Sequence, residues 1–238
     1  MITSTHNQHL KEVRRLARRE ARARDGRFVV EGEDLLAAAD AAGWPAAERL
    51  VAAGSGLEGV EVEPEVLAEV SVLGSGTRAI GVYDQRWSAP AGPLCVALWG
   101  VRDAGNVGTA LRAAAAFGAG SVALGPGTAD PYGPKAVRAS MGAIFGMPVA
   151  RVAAVEELPG EKLALVAGEG EPLRGPAAGE VSVVVGAERE GLPEDVTAAC
   201  DRAAHIPIAS ESLNAAMAAT VALYELTRSG PVPPEGTS

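Results

Sequence analysis

From Leu94 onward, short valine-rich runs alternate with stretches of helical periodicity. This alternation narrows the fold to an α/β domain with a parallel sheet covered on both faces. Strands are expected at Leu94–Trp99, Ser121–Leu124, Pro148–Val152, Leu163–Ala167, Val181–Val185 and Ala203–Ile206. Helices are expected at Val107–Phe117, Lys135–Phe145, Pro193–Cys200 and Leu213–Thr227. A smaller α/β unit precedes them, with strands at Arg27–Glu31, Arg49–Ala53, Gly59–Val62 and Ala79–Trp87 and a helix at Gly32–Ala42. Pro64 opens another short helix at its favoured first position. The run Ser88-Ala89-Pro90-Ala91-Gly92-Pro93 has linker composition. The expected organisation is therefore 1–88, a linker at 89–93, a larger domain at 94–230, and a loose tail at 231–238.

Charge divides the chain unevenly. The net charge is −9, yet residues 11–27 carry eight basic and three acidic side chains, a local +5 that leaves −14 on the remainder. Leu10, Val13, Leu16 and Ala17 recur at helical spacing, so this stretch reads as one amphipathic helix broken at Asp25-Gly26. Its outward arginines, Arg14, Arg15, Arg18, Arg19 and Arg22, form a basic arm suited to a phosphate backbone. A solvated face paired with acids elsewhere explains the same charges equally well.

Other chemistries find little support. The two cysteines, Cys95 and Cys200, sit in apolar surroundings and form neither a disulfide framework nor a metal-ligand cluster. No HExxH, P-loop or glycine-rich dinucleotide fingerprint occurs. Apolar stretches are too short to span a bilayer, and no basic-then-apolar leader opens the chain. A reducing, cytoplasmic setting with no membrane and no metal is the expectation.

Parallel sheets of this kind bind ligands beyond the carboxyl ends of their strands. Three segments place glycines and polar residues there: Asn106–Arg112, Gly186–Leu192 and Ile206–Asn214. Taken singly, Asn106 and Ser212 read as helix caps. Arg112 falls among Leu111, Ala115 and Ala116, where an arginine needs a partner; Glu188 is the natural candidate, with Glu190 and Asp103 as alternatives.

Taken together, the stretches NVGTALRAAAAFG (106–118), DPYGPKAVRASMGAIFGMP (130–148), GAEREGL (186–192) and IPIASESLN (206–214) resemble the ordered motifs of the SpoU, or TrmH-like, RNA 2′-O-ribose methyltransferases of the SPOUT superfamily. RFVVEGEDLL after a basic helix is similar to the ribosomal-protein-like RNA-binding domain that precedes the catalytic domain in many members. The resemblance implies a deep trefoil knot in the carboxyl-terminal domain and a homodimer packed through it. It implies S-adenosylmethionine held by Leu124, Gly125, Gly186, Ile206, Ile208 and Leu213. It maps the functional polar residues onto Asn106, Arg112, Glu188, Ser212 and Asn214. Arg112 either accepts the ribose proton or stays charged and stabilises the developing alkoxide. The implied substrate is structured RNA, ribosomal RNA ahead of tRNA. A non-catalytic RNA-binding or assembly factor that keeps the fold, and a nucleotide-cofactor enzyme acting on small molecules, are the competing readings. Glu211 in the third motif and the segment GTRAIGVY (76–83) depart from the family's usual pattern.

Overall fold

The computed structural model describes residues 1–72, 76–210 and 212–228. The expected tail at 231–238 and Glu211 lie outside the described residues. Among the described residues, no helix is long and apolar enough to cross a membrane.

Two sheets organise the chain. The first contains β1 (Arg27–Glu31), β2 (Glu48–Ala52), β3 (Val60–Val62) and β4 (Ala79–Asp84) in the order β1-β4-β2-β3. Only the β2–β3 pair is parallel. The basic stretch packs on this sheet through Leu10, Val13 and Leu16, all fully buried. It is two helices rather than the expected one, α1 (Gln8–Leu16) and α2 (Arg19–Asp25). The break has a local cause. The Arg22 guanidinium turns back and donates to the carbonyls of Leu16 and Ala17, both at 2.8 Å, satisfying acceptors that the end of α1 leaves open. Two further helices, α3 (Glu33–Ala41) and α4 (Pro64–Val70), complete this unit.

The second sheet has seven strands, all parallel: β5 (Leu94–Leu98), β6 (Ser121–Leu124), β7 (Val149–Arg151), β8 (Glu161–Leu165), β9 (Glu171–Pro172), β10 (Val181–Val185) and β11 (Arg202–His205). Their order is β7-β6-β5-β10-β8-β11-β9. The strand order reverses at β5, with β6 on one side and β10 on the other, and Val185 pairs with Leu98 at the carboxyl edge. That is where such sheets open a ligand crevice. Helices α5 (Ala104–Ala116), α6 (Pro134–Ala139), α7 (Glu194–Ala198) and α8 (Ala215–Thr227) cover the faces. The expected helix 135–145 stops early. Met141 and Gly142 take positive φ values of 49° and 90°, and a 3₁₀ turn follows at Ala143–Phe145. A side chain at 142 would strike Ala38 of α3, so the turn depends on glycine.

The two sheets share one core. Of nine aromatic residues in the chain, six meet at the seam. Phe28 contacts Tyr132 at 4.7 Å between ring centroids, Trp44 contacts Phe145 at 5.1 Å, Tyr83 contacts Phe145 at 5.6 Å, and Trp87 contacts Tyr132 at 5.1 Å. Tyr132 is fully buried, and its hydroxyl donates to the Arg86 carbonyl. Burial pushes that phenol up to about 12. The linker is also fastened: Ser88 N–H donates to Val149 O at 2.9 Å, and Ala91 N–H donates to the buried Ser121 hydroxyl at 2.8 Å. Its composition suggested a loose tether; edge hydrogen bonds make it part of the larger unit.

Arg22 locks the seam. Its Nε and terminal nitrogen both lie 2.8 Å from Asp130 Oδ2, and the two side chains are only 5% and 10% exposed. Removing one member of a buried pair leaves the other charge uncompensated, at about 3–5 kcal/mol. Arg22→Met is therefore expected to lower the midpoint of thermal unfolding by roughly 10 °C. Adding Asp130→Asn should recover most of the loss in a calorimetric scan.

Candidate functional site

Three segments converge at the carboxyl edge between β5 and β10. The first is the opening turn of α5. Its cap is Asp103, whose Oδ1 accepts from Gly105 N–H at 2.6 Å and Asn106 N–H at 3.1 Å. Lys135 donates to the other carboxylate oxygen at 2.8 Å. The Lys135 contact, reinforced by the two backbone donors, holds the Asp103 carboxyl below its ordinary range. Asn106 is thus the third residue of the helix, not its cap, and its amide is free to face the crevice.

The second and third segments use that amide. Asn106 Nδ2 donates to Glu188 Oε1 in the loop after β10. Asn106 Oδ1 accepts from Asn214 Nδ2 at 3.0 Å. Asn214 also caps α8, accepting from Ala216 N–H at 2.9 Å. Asn214 takes the capping role that Ser212 alone suggested, and Ser212 instead lines the cavity beneath. The result is a directed chain, Asn214 to Asn106 to Glu188, that fixes the amide orientation and ties three loops together. Its carboxylate end accepts a charge-assisted bond.

Beneath this chain lies a cavity of about 630 Å³. Gly186, Ile206, Ile208 and Leu213, which the resemblance implied for one pocket, line it together with Glu188 and Ser212. Gly186 is required there: a Cβ would collide with the backbone of Gly191 and Leu192. The lining mixes apolar walls with backbone and a few polar groups, and the volume suits a nucleoside-sized ligand. Leu124 and Gly125 do not join it. They line a separate cavity with Arg19, Trp87 and Arg151. Sequence reasoning in turn missed Val166, Ala167 and Glu169, which do line the large cavity. Val166 and Ala167 were read as the end of a strand, but β8 stops at Leu165 and releases them; Glu169 lies beyond the expected strand.

Arg112 departs from expectation. It is exposed on α5 rather than buried, and among the described residues it has no ion pair. Each carboxylate considered for it is engaged elsewhere: Glu188 by Asn106, Asp103 by Lys135, and Glu190 by Arg102 at 3.5 Å. The basic arm also divides. Arg22 is buried in the seam pair and is not available to a ligand. Arg14 donates to Thr5 O at 2.7 Å, and Arg15 pairs with Asp25. Arg18 and Arg19 are exposed with no ion pair among the described residues. Neither cysteine is poised as a nucleophile. Burial raises the Cys95 thiol and pushes Cys200 up to about 11.

Comparison with known proteins places the chain in a family. Residues 93–224 match the SpoU rRNA Methylase family, and residues 7–81 match the MRM3-like substrate binding domain. An uncharacterized tRNA/rRNA methyltransferase of Synechocystis is 32% identical, over 95% of this chain and 93% of its own. The 23S rRNA (guanosine(2553)-2′-O)-methyltransferase RlmP of Bacillus subtilis is 28% identical, over 94% of this chain and 98% of its own. The crystal structure of an AdoMet-bound rRNA methyltransferase from Sinorhizobium meliloti superposes with a TM-score of 0.84 at 29% identity, covering 94% of this chain and 96% of that one. With more than half its length matched and two-domain relatives aligned nearly end to end, the chain belongs to the SpoU rRNA methylase family.

Proposed function

We propose that the protein transfers a methyl group from S-adenosylmethionine to a ribose 2′-hydroxyl of RNA, with ribosomal RNA as the substrate. The observation that carries this reading is the Asn214–Asn106–Glu188 chain, whose Glu188 end lines the same cavity as Gly186, Ile206, Ile208 and Leu213. RlmP supports the ribosomal assignment by its named activity. The AdoMet-bound neighbour supports the cofactor. Bound in this cavity, S-adenosylmethionine supplies a sulfonium-activated methyl group.

The chain's own residues supply positioning and charge. Gly186, Ile206, Ile208 and Leu213 hold the nucleoside-sized ligand. Asn106, oriented by Glu188 and Asn214, presents a fixed amide to the incoming nucleotide. Holding two reactants in line accounts for much of the acceleration in a displacement of this kind. Arg112, exposed on α5, serves as a fixed positive charge for the alkoxide that develops as the 2′-hydroxyl gives its proton to solvent, while the methyl's bond to the sulfonium sulfur would break to leave a neutral thioether. Ser212 lines the same cavity.

The exposure of Arg112 supports a dimeric arrangement. On α8, Met217, Val221 and Tyr224 form one outward stripe, 59%, 39% and 56% exposed. Tyr224 also touches Phe117 at the end of α5. An apolar stripe of this kind marks an interaction surface. Two copies packed through α5 and α8 bring Arg112 of one copy toward the cavity of the other. The knot belongs to the same proposal: β10 inserts between β5 and β8 in the sheet order, and the motifs whose resemblance implies a knot lie in this domain.

Tritiated methyl transfer to total RNA from a strain lacking this protein, followed by ribose-methylation mapping, tests the activity; label in bases, or none, defeats it. Arg112→Ala is expected to reduce turnover by at least about a thousandfold while leaving S-adenosylmethionine affinity within about twofold. Near-normal turnover would remove Arg112 from the reaction. Met217→Glu with Tyr224→Glu should convert a dimer to a monomer in light scattering and silence methyl transfer together. A wild-type monomer with full activity would refute the dimeric arrangement.

A further inference from the structure

Two cavities, of about 210 and 490 Å³, lie end to end along the seam and share Arg19, Gly127, Ala129 and Asp130 as walls. Their titratable lining is one-sided: Arg19, Arg22, Arg102, Lys135 and Arg151 against the single carboxylate of Asp130. Asp130 is already neutralised by buried Arg22. Four cations therefore surround a neutral floor, on a chain whose net charge is −9.

Each of the four is placed to meet an anion. Arg19 has no ion pair among the described residues. Arg151 is laid over the Trp87 ring, 3.7 Å from its centroid, which orders the guanidinium without neutralising it. Arg102 and Lys135 pair with Glu190 and Asp103, but their side chains are 77% and 67% exposed. Pairs that open to water are weak and yield readily to a phosphate.

The groove also leads to the candidate site. Ala104, the first residue of α5, lines its larger cavity. Lys135 packs over the same turn, its Cε 3.1 Å from where a Cβ on Gly105 would sit. Asn106 follows immediately. On the other side, Glu190, which holds Arg102, lines the large apolar cavity. Cations spread over two cavities suit a chain of phosphates rather than a single one.

We infer that this groove is the path of the RNA strand, with Arg19, Arg102, Lys135 and Arg151 contacting successive phosphates and delivering the target ribose to Asn106. The inference rests on the RNA-methyltransferase reading and extends it. It assigns the strand contacts to a seam built from both units, so that only Arg19 of the basic arm takes part.

Fluorescence anisotropy of a labelled short single-stranded oligoribonucleotide, titrated with the full chain over a salt series, tests it. Single strands lose about 0.7 in log–log salt slope per phosphate contact. Arg19→Gln/Arg102→Gln/Lys135→Gln is therefore expected to reduce the slope by about 2 and affinity at low salt by at least tenfold or so. Binding of S-adenosylmethionine and the circular dichroism spectrum should match wild type. Arg14→Gln/Arg15→Gln should change the slope by less than about 1. The groove is overturned if the triple variant binds like wild type, if the Arg14/Arg15 variant loses as much, or if wild type fails to bind at low salt. Wild type that binds through the groove yet methylates no RNA defeats the enzymatic reading alone. Active wild type with an unaffected triple variant defeats the groove alone.

Discussion

The aromatic seam between the two sheets sets the geometry on which the rest of the molecule depends. The chain is poor in aromatics, yet Phe28, Trp44, Tyr83 and Trp87 from the amino-terminal unit meet Tyr132 and Phe145 from the larger one. Aromatic contacts of this kind each add about 0.5–1.5 kcal/mol beyond burial. A seam that closes over a buried ion pair resists sliding, because any displacement of Arg22 from Asp130 exposes a charge to an apolar surround. The amino-terminal unit is consequently held against the larger domain in one orientation. Whatever it binds is presented to the crevice at a fixed angle.

The same loop serves seam and site. Residues 125–134 follow β6, carry Asp130 and Tyr132 into the seam, and end at α6, whose Lys135 braces the cap of α5. Asp103, held by Lys135, caps the helix that carries Asn106. A short relay of contacts thus runs from Arg22 to Asp130, through the loop to Lys135, and on to Asp103 and Asn106. No movement is required for it to matter: a relay of packed and paired groups fixes Asn106 before any ligand arrives, and prior placement is what a displacement reaction needs.

Much of this was legible in the residues, and what was not has physical causes. The strands at 27–31, 121–124 and 181–185 stand where their branched side chains place them. Strand ends and glycines marked only the three segments of a crevice; Gly186, Ile206, Ile208 and Leu213, which line the large cavity, were singled out by the resemblance of their motifs to the SpoU family. Charge patterning could not separate Arg22 from Arg18 and Arg19, since burial depends on Asp130, more than a hundred residues away in sequence. Helical periodicity over-extended α1, because the break is stabilised by a local guanidinium contact, from Arg22 to the carbonyls of Leu16 and Ala17, that apolar spacing does not record. Linker composition at 88–93 gave no sign that Ser121 and Val149 would pin it. Arg112 was given a buried partner on the strength of its alanine neighbours, but those alanines include two that face outward with it.

The overall acidity of the chain fits the groove once the charges are located. Exposed carboxylates over most of the surface repel a polyanion, and salt screens that repulsion beyond about 8–10 Å. A groove lined by four cations, Arg19 and Arg151 without an ion pair among the described residues and Arg102 and Lys135 in solvent-exposed pairs, offers attraction only at close range and in one direction. An acidic body therefore does not oppose RNA binding; it removes the non-specific sites that a uniformly basic surface would create. Because the attractive charges come from both units, binding depends on the seam being closed. The fold and the recognition surface thus rest on the same Arg22–Asp130 contact, and a chain that loses it loses the alignment of Arg19 with Arg102 and Lys135 as well.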